Sequence, residues 1–170
     1  MESGKLFALL GGILSLLGTY VFAIYQFGIA VGSGLGFLLN LFGAGVIPTT
    51  LYAGADAYAA SISMYIWVYW IVFVIFIIFL AAGLLQIIFM KSKALSFFFS
   101  LFPLGVGLMF ILLQYTDFLG VRSAFFGLFF LGEHFGDIYP FLVNLGDLAL
   151  GTYFLLGGGV LGVLSVFMEH

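Results

Sequence analysis

The 170-residue chain has no cysteine, three prolines and only four basic residues. Without cysteine there is no disulfide, no thiolate metal site and no cysteine nucleophile. Four lysines and arginines are too few to build a surface that tracks phosphates, so nucleic acid is not expected as a partner. Histidine is nearly as scarce: His134 and His170 are the only two, which argues against a zinc enzyme. Charged residues amount to 6% of the chain, far below the roughly one quarter usual in soluble domains. No stretch rich in Pro or Ser and no charge run marks a linker, so residues 1–170 read as one domain.

What fills the space is apolar: 65% of residues are hydrophobic and 20% aromatic. Crossing the hydrocarbon core as a helix takes about 20 apolar residues. Four stretches qualify, about 5–27, 65–90, 94–115 and 139–168, which predicts an all-α membrane protein with four transmembrane helices. The first apolar run, Leu6 to Tyr25, exceeds the roughly 7–15 residues of a signal-peptide core, so it reads as a span.

Lys5, Lys91 and Lys93 flank the first span, the end of the second and the start of the third. The positive-inside rule then places both termini and the "MKSKA" turn in the cytoplasm. All nine tyrosines and both tryptophans fall toward the opposite, outer ends, as interfacial rings prefer.

The fourth span carries an aspartate, Asp147. Residues 148–167 supply twenty uncharged positions by themselves, which makes Asp147 a boundary carboxylate facing the positive end of a helix dipole. A longer helix, begun with Pro140 in its first turn, aligns Asn144, Asp147, Gly151, Gly158, Gly162 and Ser165 on one face. Such a stripe either lets helices approach closely, the favoured reading, or lines a water-filled path. Gly11, Ser15 and Gly18 form a similar stripe in the first span, and Ser96, Ser100, Pro103, Gly107 and Gln114 in the third. The second span is bulky all round until Ala82, Gly83 and Gln86, which predicts a peripheral, lipid-facing helix while the other three meet closely.

The two outer connections are unusual. Residues 35–46 ("LGFLLNLFGAGV") and 118–132 ("FLGVRSAFFGLFFLG") are too apolar for water and too short to span. They need a cover, and a subunit contact or an interfacial helix is expected in preference to re-entrance. Both halves thus read as span, apolar segment, span. A shift of 89 residues superposes Gly18 on Gly107, Phe37 on Phe126 and Gly43 on Gly132, which suggests a parallel architectural repeat.

Candidate chemistry is thin. In "GEHFGD", Glu133, His134 and Asp137 offer oxygen and nitrogen donors, but this reads as a hydrated loop and no metal or other cofactor is expected. No serine has a Gly-x-Ser-x-Gly setting, and Gly157–Gly159 lacks the Lys and Ser or Thr of a phosphate loop. An enzyme is not expected. Charge is more informative: Asp56, Asp117, Glu133, Asp137 and Asp147 stand against Arg122 on the outer side, an acidic rim that around a ring of subunits would concentrate cations.

Four spans, cytoplasmic termini and two outer segments resemble the architecture of connexins, innexins, claudins and other tetraspan proteins, without their outer cysteines. The ends, "SGKLFALLGGILSLLGTYVF" and "LALGTYFLLGGGVLGVLSVF", are similar to small four-helix membrane proteins of archaea, particularly the Asgard group. That resemblance implies a multi-pass protein of the cell membrane and no established activity. The functional expectation is a homo-oligomeric pore or channel-like ring passing an ion or small solute. The alternatives are a non-conducting tetraspan scaffold or partner-binding protein, and a transporter accessory subunit. Asn144, Asp147, Gly151 and Gln114 are the candidate pore or polar-stripe residues.

Overall fold

A computed structural model describes residues 2–45, 49–118, 120–132, 134–136 and 138–168. Among the described residues three helices are long and apolar enough to cross a membrane: Ser3–Val21, Ile66–Ile88 and Lys93–Tyr115. The first is α1, Ser3–Leu16, continued by a π-helical turn, Leu17–Val21; the others are α4 and α5. At 23 residues each, α4 and α5 are about 34 Å long. The last helix, α7, Leu150–Ser165, has 16 residues and about 24 Å, short of the roughly 30 Å hydrocarbon core.

The four helices form an antiparallel ring in the order α1, α7, α5, α4, each packed on its two neighbours. Small residues set the spacing. A Cβ at Gly158 would lie 2.6 Å from the Gly11 carbonyl oxygen, and one at Gly18 2.7 Å from that of Gly151, so α1 and α7 touch backbone to backbone. Gly159 meets the backbone of Leu104 in the same way. The glycine stripes therefore serve close approach of helices rather than an open path through the chain. Side-chain hydroxyls on these faces turn back to their own helices: Ser15 donates to the Gly11 carbonyl at 2.8 Å and Thr19 to Ser15 at 2.7 Å.

The second predicted span is not peripheral. Tyr69, Phe73, Phe76, Leu80, Gly83 and Gln86 recur at spacings of three and four and bury one face of α4. The sequence hides that face because the lipid-facing residues between them are equally bulky. Near its end the Gln86 side chain reaches between α1 and α7, donating Nε2 to the Ala8 carbonyl at 3.3 Å. Its fully buried Oε1 has no hydrogen-bond partner among the described residues.

The fourth predicted span, about 139–168, needs the largest correction. Its first third is not helical. The Tyr139–Pro140 peptide bond is cis, and Phe141 pairs with the end of the first span: its N–H donates to Val21 and its carbonyl accepts from Ala23. A hairpin of β4, Asn144–Leu145, and β5, Leu148–Ala149, follows, and only then does α7 begin. The first predicted span is shortened for the same reason: beyond Phe22 the chain leaves the helix for these pairings.

A cap closes the end where α1 stops and α4 starts. It comprises β1, Tyr25–Phe27; β2, Ala30–Gly32; α2, Gly34–Leu41; α3, Ala55–Ser61; α6, Val121–Leu128; and β3, Leu131–Gly132. The strands form one antiparallel sheet, β1-β2-β3. Ser33 caps α2 by accepting from the Gly36 N–H at 3.0 Å.

The two apolar connections meet inside this cap and cover one another. Phe37 stacks on Phe130 at 5.1 Å between ring centres, and Phe130 packs edge-on against Phe76, Phe79 and Phe110. Asn40, within the first apolar connection, donates to the Phe129 carbonyl at 2.8 Å and the Leu131 carbonyl at 3.0 Å. Thus α4 and α5 rise past the end of α1, and the cap fills the space left on that side. The cover expected from a second subunit or an interfacial position is supplied by the chain itself.

The three residue pairs of the suggested repeat occupy the following places. Gly18 and Gly107 both abut Leu155, and Phe37 and Phe126 both lie edge-on to Phe76, at 5.8 and 5.9 Å. Gly43 and Gly132 are not equivalent: Gly43 adopts φ +71° after α2, whereas Gly132 pairs in β3.

Candidate functional site

The capped end collects most of the polar side chains that the sequence singles out. Between Leu145 and Leu148 the chain reverses through Gly146 and Asp147, with Gly146 at φ +71°. A two-residue Gly-Asp loop of this kind joins antiparallel strands because its twist matches theirs, and "LGDL" carries that signal in the sequence. Asn144 and Asp147 therefore sit in an exposed hairpin ahead of α7, not on a helical stripe with Gly158 and Gly162. Asp147 takes the boundary position, and Gly151 is buried in the first turn of α7, its N–H donating to Ala23 at 3.0 Å.

Among the described residues, three side-chain bonds tie this hairpin to its surroundings. Asn144 Nδ2 donates to Gln26 Oε1 at 3.2 Å, linking it to β1. Tyr153 donates to the Leu145 carbonyl at 2.9 Å, and Tyr115, the last residue of α5, donates to Asp147 Oδ2 at 3.4 Å. Gln26, Tyr115 and Tyr153 join this group without any mark in the sequence that would assign them to it. No periodicity could have found them, since they meet only through the ring order of the helices.

Of the acidic rim, Asp56 is exposed in the first turn of α3 and Asp117 in the turn after α5. Neither bonds to the hairpin through its side chain among the described residues. Glu133 and Asp137 lie outside the described residues. His134 between them is half-buried, with Nδ1 shielded and without a hydrogen-bond partner among the described residues. Among the described residues no three potential ligands come together to hold a metal ion.

Beside the hairpin, β1, the last turn of α5 and α6 border an open-sided cavity of about 380 Å³. Tyr25, Leu113, Phe125 and Leu128 wall it, with Gln26 and Gln114 contributing amides. The Tyr25 hydroxyl donates to the Gly127 carbonyl and closes one side. A second groove, of about 450 Å³, runs between α4 and α5 past Ile75, Leu101 and Gly105 and is apolar throughout.

Burial raises the pKa of Tyr25 well above its ordinary 10.0. In the unfolded chain this hydroxyl ionises near 10, whereas in the folded chain it keeps its proton. Its contribution is therefore complete below pH 10 and is lost as pH rises toward the folded value. The thermal midpoint in detergent is expected to fall between about pH 10 and 11, and to fall less steeply in Tyr25→Phe. At neutral pH that substitution should cost about 1–2 kcal/mol, because Gly127 loses its donor.

Comparison with known proteins finds no matching family model, no matching curated relative and no matching solved structure.

Proposed function

We propose that this chain is a non-conducting tetraspan protein of the cell membrane that uses its capped end to bind a partner or organise the surrounding membrane. The supporting observation is the cap core. The apolar segments on which the expectation of a self-assembled ring rested are covered within one chain, Phe37 against Phe130 and both against α4. The closed glycine faces point the same way, since a water-filled path would have to run between subunits.

In this proposal α7, with its flanking residues, is the fourth crossing, and the lysine-bearing end faces the cytoplasm. Lys5, Lys91 and Lys93 all lie opposite the cap, and Lys93 donates to the Met168 carbonyl at 3.0 Å. The cap presents large apolar side chains to its surroundings: Ile29, at the tip of the β1–β2 hairpin, is 99% exposed, and Phe42 and Phe118 are mostly exposed. Such a surface suits contact with a protein or with headgroups.

The homo-oligomeric pore remains the second reading, because Asp56, Asp117 and Asp147 are all exposed at one end. Native mass spectrometry from lipid nanodiscs, joined to a planar-bilayer conductance assay, separates the two. The expected result is no closed ring and no conductance, with Asp147→Asn and Asn144→Ala within about 0.5 kcal/mol of the parent in stability. A single closed stoichiometry of about five or more subunits, with a conductance altered by Asp147→Asn, would replace the scaffold by the pore.

A further inference from the structure

The cavity between β1, α5 and α6 differs from the groove on the other side of α5. The groove is lined by apolar residues alone and opens along two membrane-length helices, so any acyl chain can fill it. The cavity lies at the last turn of α5, where a membrane-length helix ends, and combines apolar walls with two amides. Its volume falls in the range of small-molecule sites, roughly 300–1,000 Å³.

The two amides are not equally engaged. Gln26 is held in place: Oε1 accepts from Asn144 and Nε2 donates to the Gly28 carbonyl at 3.1 Å. Gln114 makes no side-chain hydrogen bond among the described residues, although it stands one residue from the end of a membrane-length helix. An amide at a membrane boundary offers two donors and an acceptor, and there a lipid headgroup competes with water for them.

Charge narrows the headgroup. Asp147, held by Tyr115, and Asp117 stand near the end of α5. Two carboxylates at this end of α5 disfavour a headgroup of net negative charge.

We propose that this cavity is a lipid site, taking one hydrocarbon chain of a lipid from the leaflet at the capped end. The polar part of that lipid is uncharged or zwitterionic and hydrogen-bonds to Gln114, with Gln26 as the fixed second contact. The site depends only on the chain lying in a membrane, and would exist in the scaffold and in the pore alike.

The test uses the whole chain in nanodiscs and a phosphatidylcholine whose acyl chain carries a photoactivatable diazirine. Cross-links are mapped by peptide mass spectrometry. Labelling is expected at Leu113, Phe125 and Leu128, above that at Ile75 and Leu101 in the open groove, which report ordinary lipid contact. Excess unlabelled phosphatidylcholine should displace the cavity signal roughly five-fold better than phosphatidylglycerol, while groove labelling is diluted equally by both. Ala124→Phe, which places a ring in the cavity, should remove cavity labelling and keep groove labelling. Gln114→Leu should weaken displacement of the cavity signal by phosphatidylcholine roughly five-fold, a loss on the scale of one hydrogen bond, and leave the charge-based order of the two lipids in place.

Cavity labelling no stronger than groove labelling in the parent chain would overturn the proposal. So would its persistence in Ala124→Phe, or equal displacement by the two lipids. If Ala124→Phe loses groove labelling as well, it has misfolded, and the displacement ratio in the parent chain decides.

Discussion

Phe130→Ala is expected to destabilise the protein by about 3–5 kcal/mol, the range for truncating a large buried aromatic ring. Phe130 is fully buried and touches both halves of the chain: Phe37 from the first connection, Phe76 and Phe79 from α4, and Phe110 from α5. Removing it leaves a hole where four rings from three elements converge, and none of them can move in without leaving another partner. Denaturant titration in micelles, read by near-ultraviolet circular dichroism, measures the loss, with Phe130→Leu as the partial truncation. A cost below about 1 kcal/mol would mean that the cap is not held by this cluster. The intramolecular cover on which the scaffold proposal rests would then fail with it.

The second large effect is expected at Gly158. Its added Cβ would lie 2.6 Å from the Gly11 carbonyl oxygen and 2.7 Å from the Ser15 nitrogen, both backbone atoms that no rotamer change can move aside. Gly158→Ala should therefore force α1 and α7 apart and cost about 1–3 kcal/mol, and Gly158→Leu should abolish the fold. The adjacent residue supplies the control. A Cβ at Gly157 meets only the tip of Leu14, at 3.6 Å, an ordinary contact. Gly157→Ala should be neutral or stabilising by up to about 1 kcal/mol, from the lower conformational entropy of the unfolded chain. Equal effects at the two positions would show that backbone contact between α1 and α7 does not set the spacing.

The contrast between Gly157 and Gly158 also shows how far the sequence could be read. Stripes of small residues in α1, α5 and α7 were visible as helical periodicity, and those stripes do meet. Which glycine of a run touches a neighbour depends on helix rotation, which periodicity does not supply. In α4 the difficulty was of another kind. Tyr69, Phe73, Phe76 and Leu80 have the spacing of a buried face, but Trp70, Ile71, Val74 and Ile77 on the exposed side are just as apolar. In a membrane, hydrophobicity does not distinguish inside from outside, so an amphipathic reading finds nothing to separate.

The polar stripe through Asn144 and Asp147 failed for a more local reason. A helical wheel drawn across "LVNLGDLALG" presumes the helix, whereas Gly146-Asp147 is a turn sequence and the residues before it find backbone partners in the first span.

The sequence by itself determined the membrane-length helices and the clustering of lysines toward one end and of tyrosines and tryptophans toward the other. These follow from composition and from the roughly 30 Å length that apolar helices must match. Only the tertiary structure decided what covers the apolar connections, where the last helix begins and which polar side chains share the cavity at the end of α5. Those depend on contacts such as Phe37 with Phe130 and Asn144 with Gln26, between residues about 90 and 118 positions apart, whose partners are fixed by the packing order of four helices.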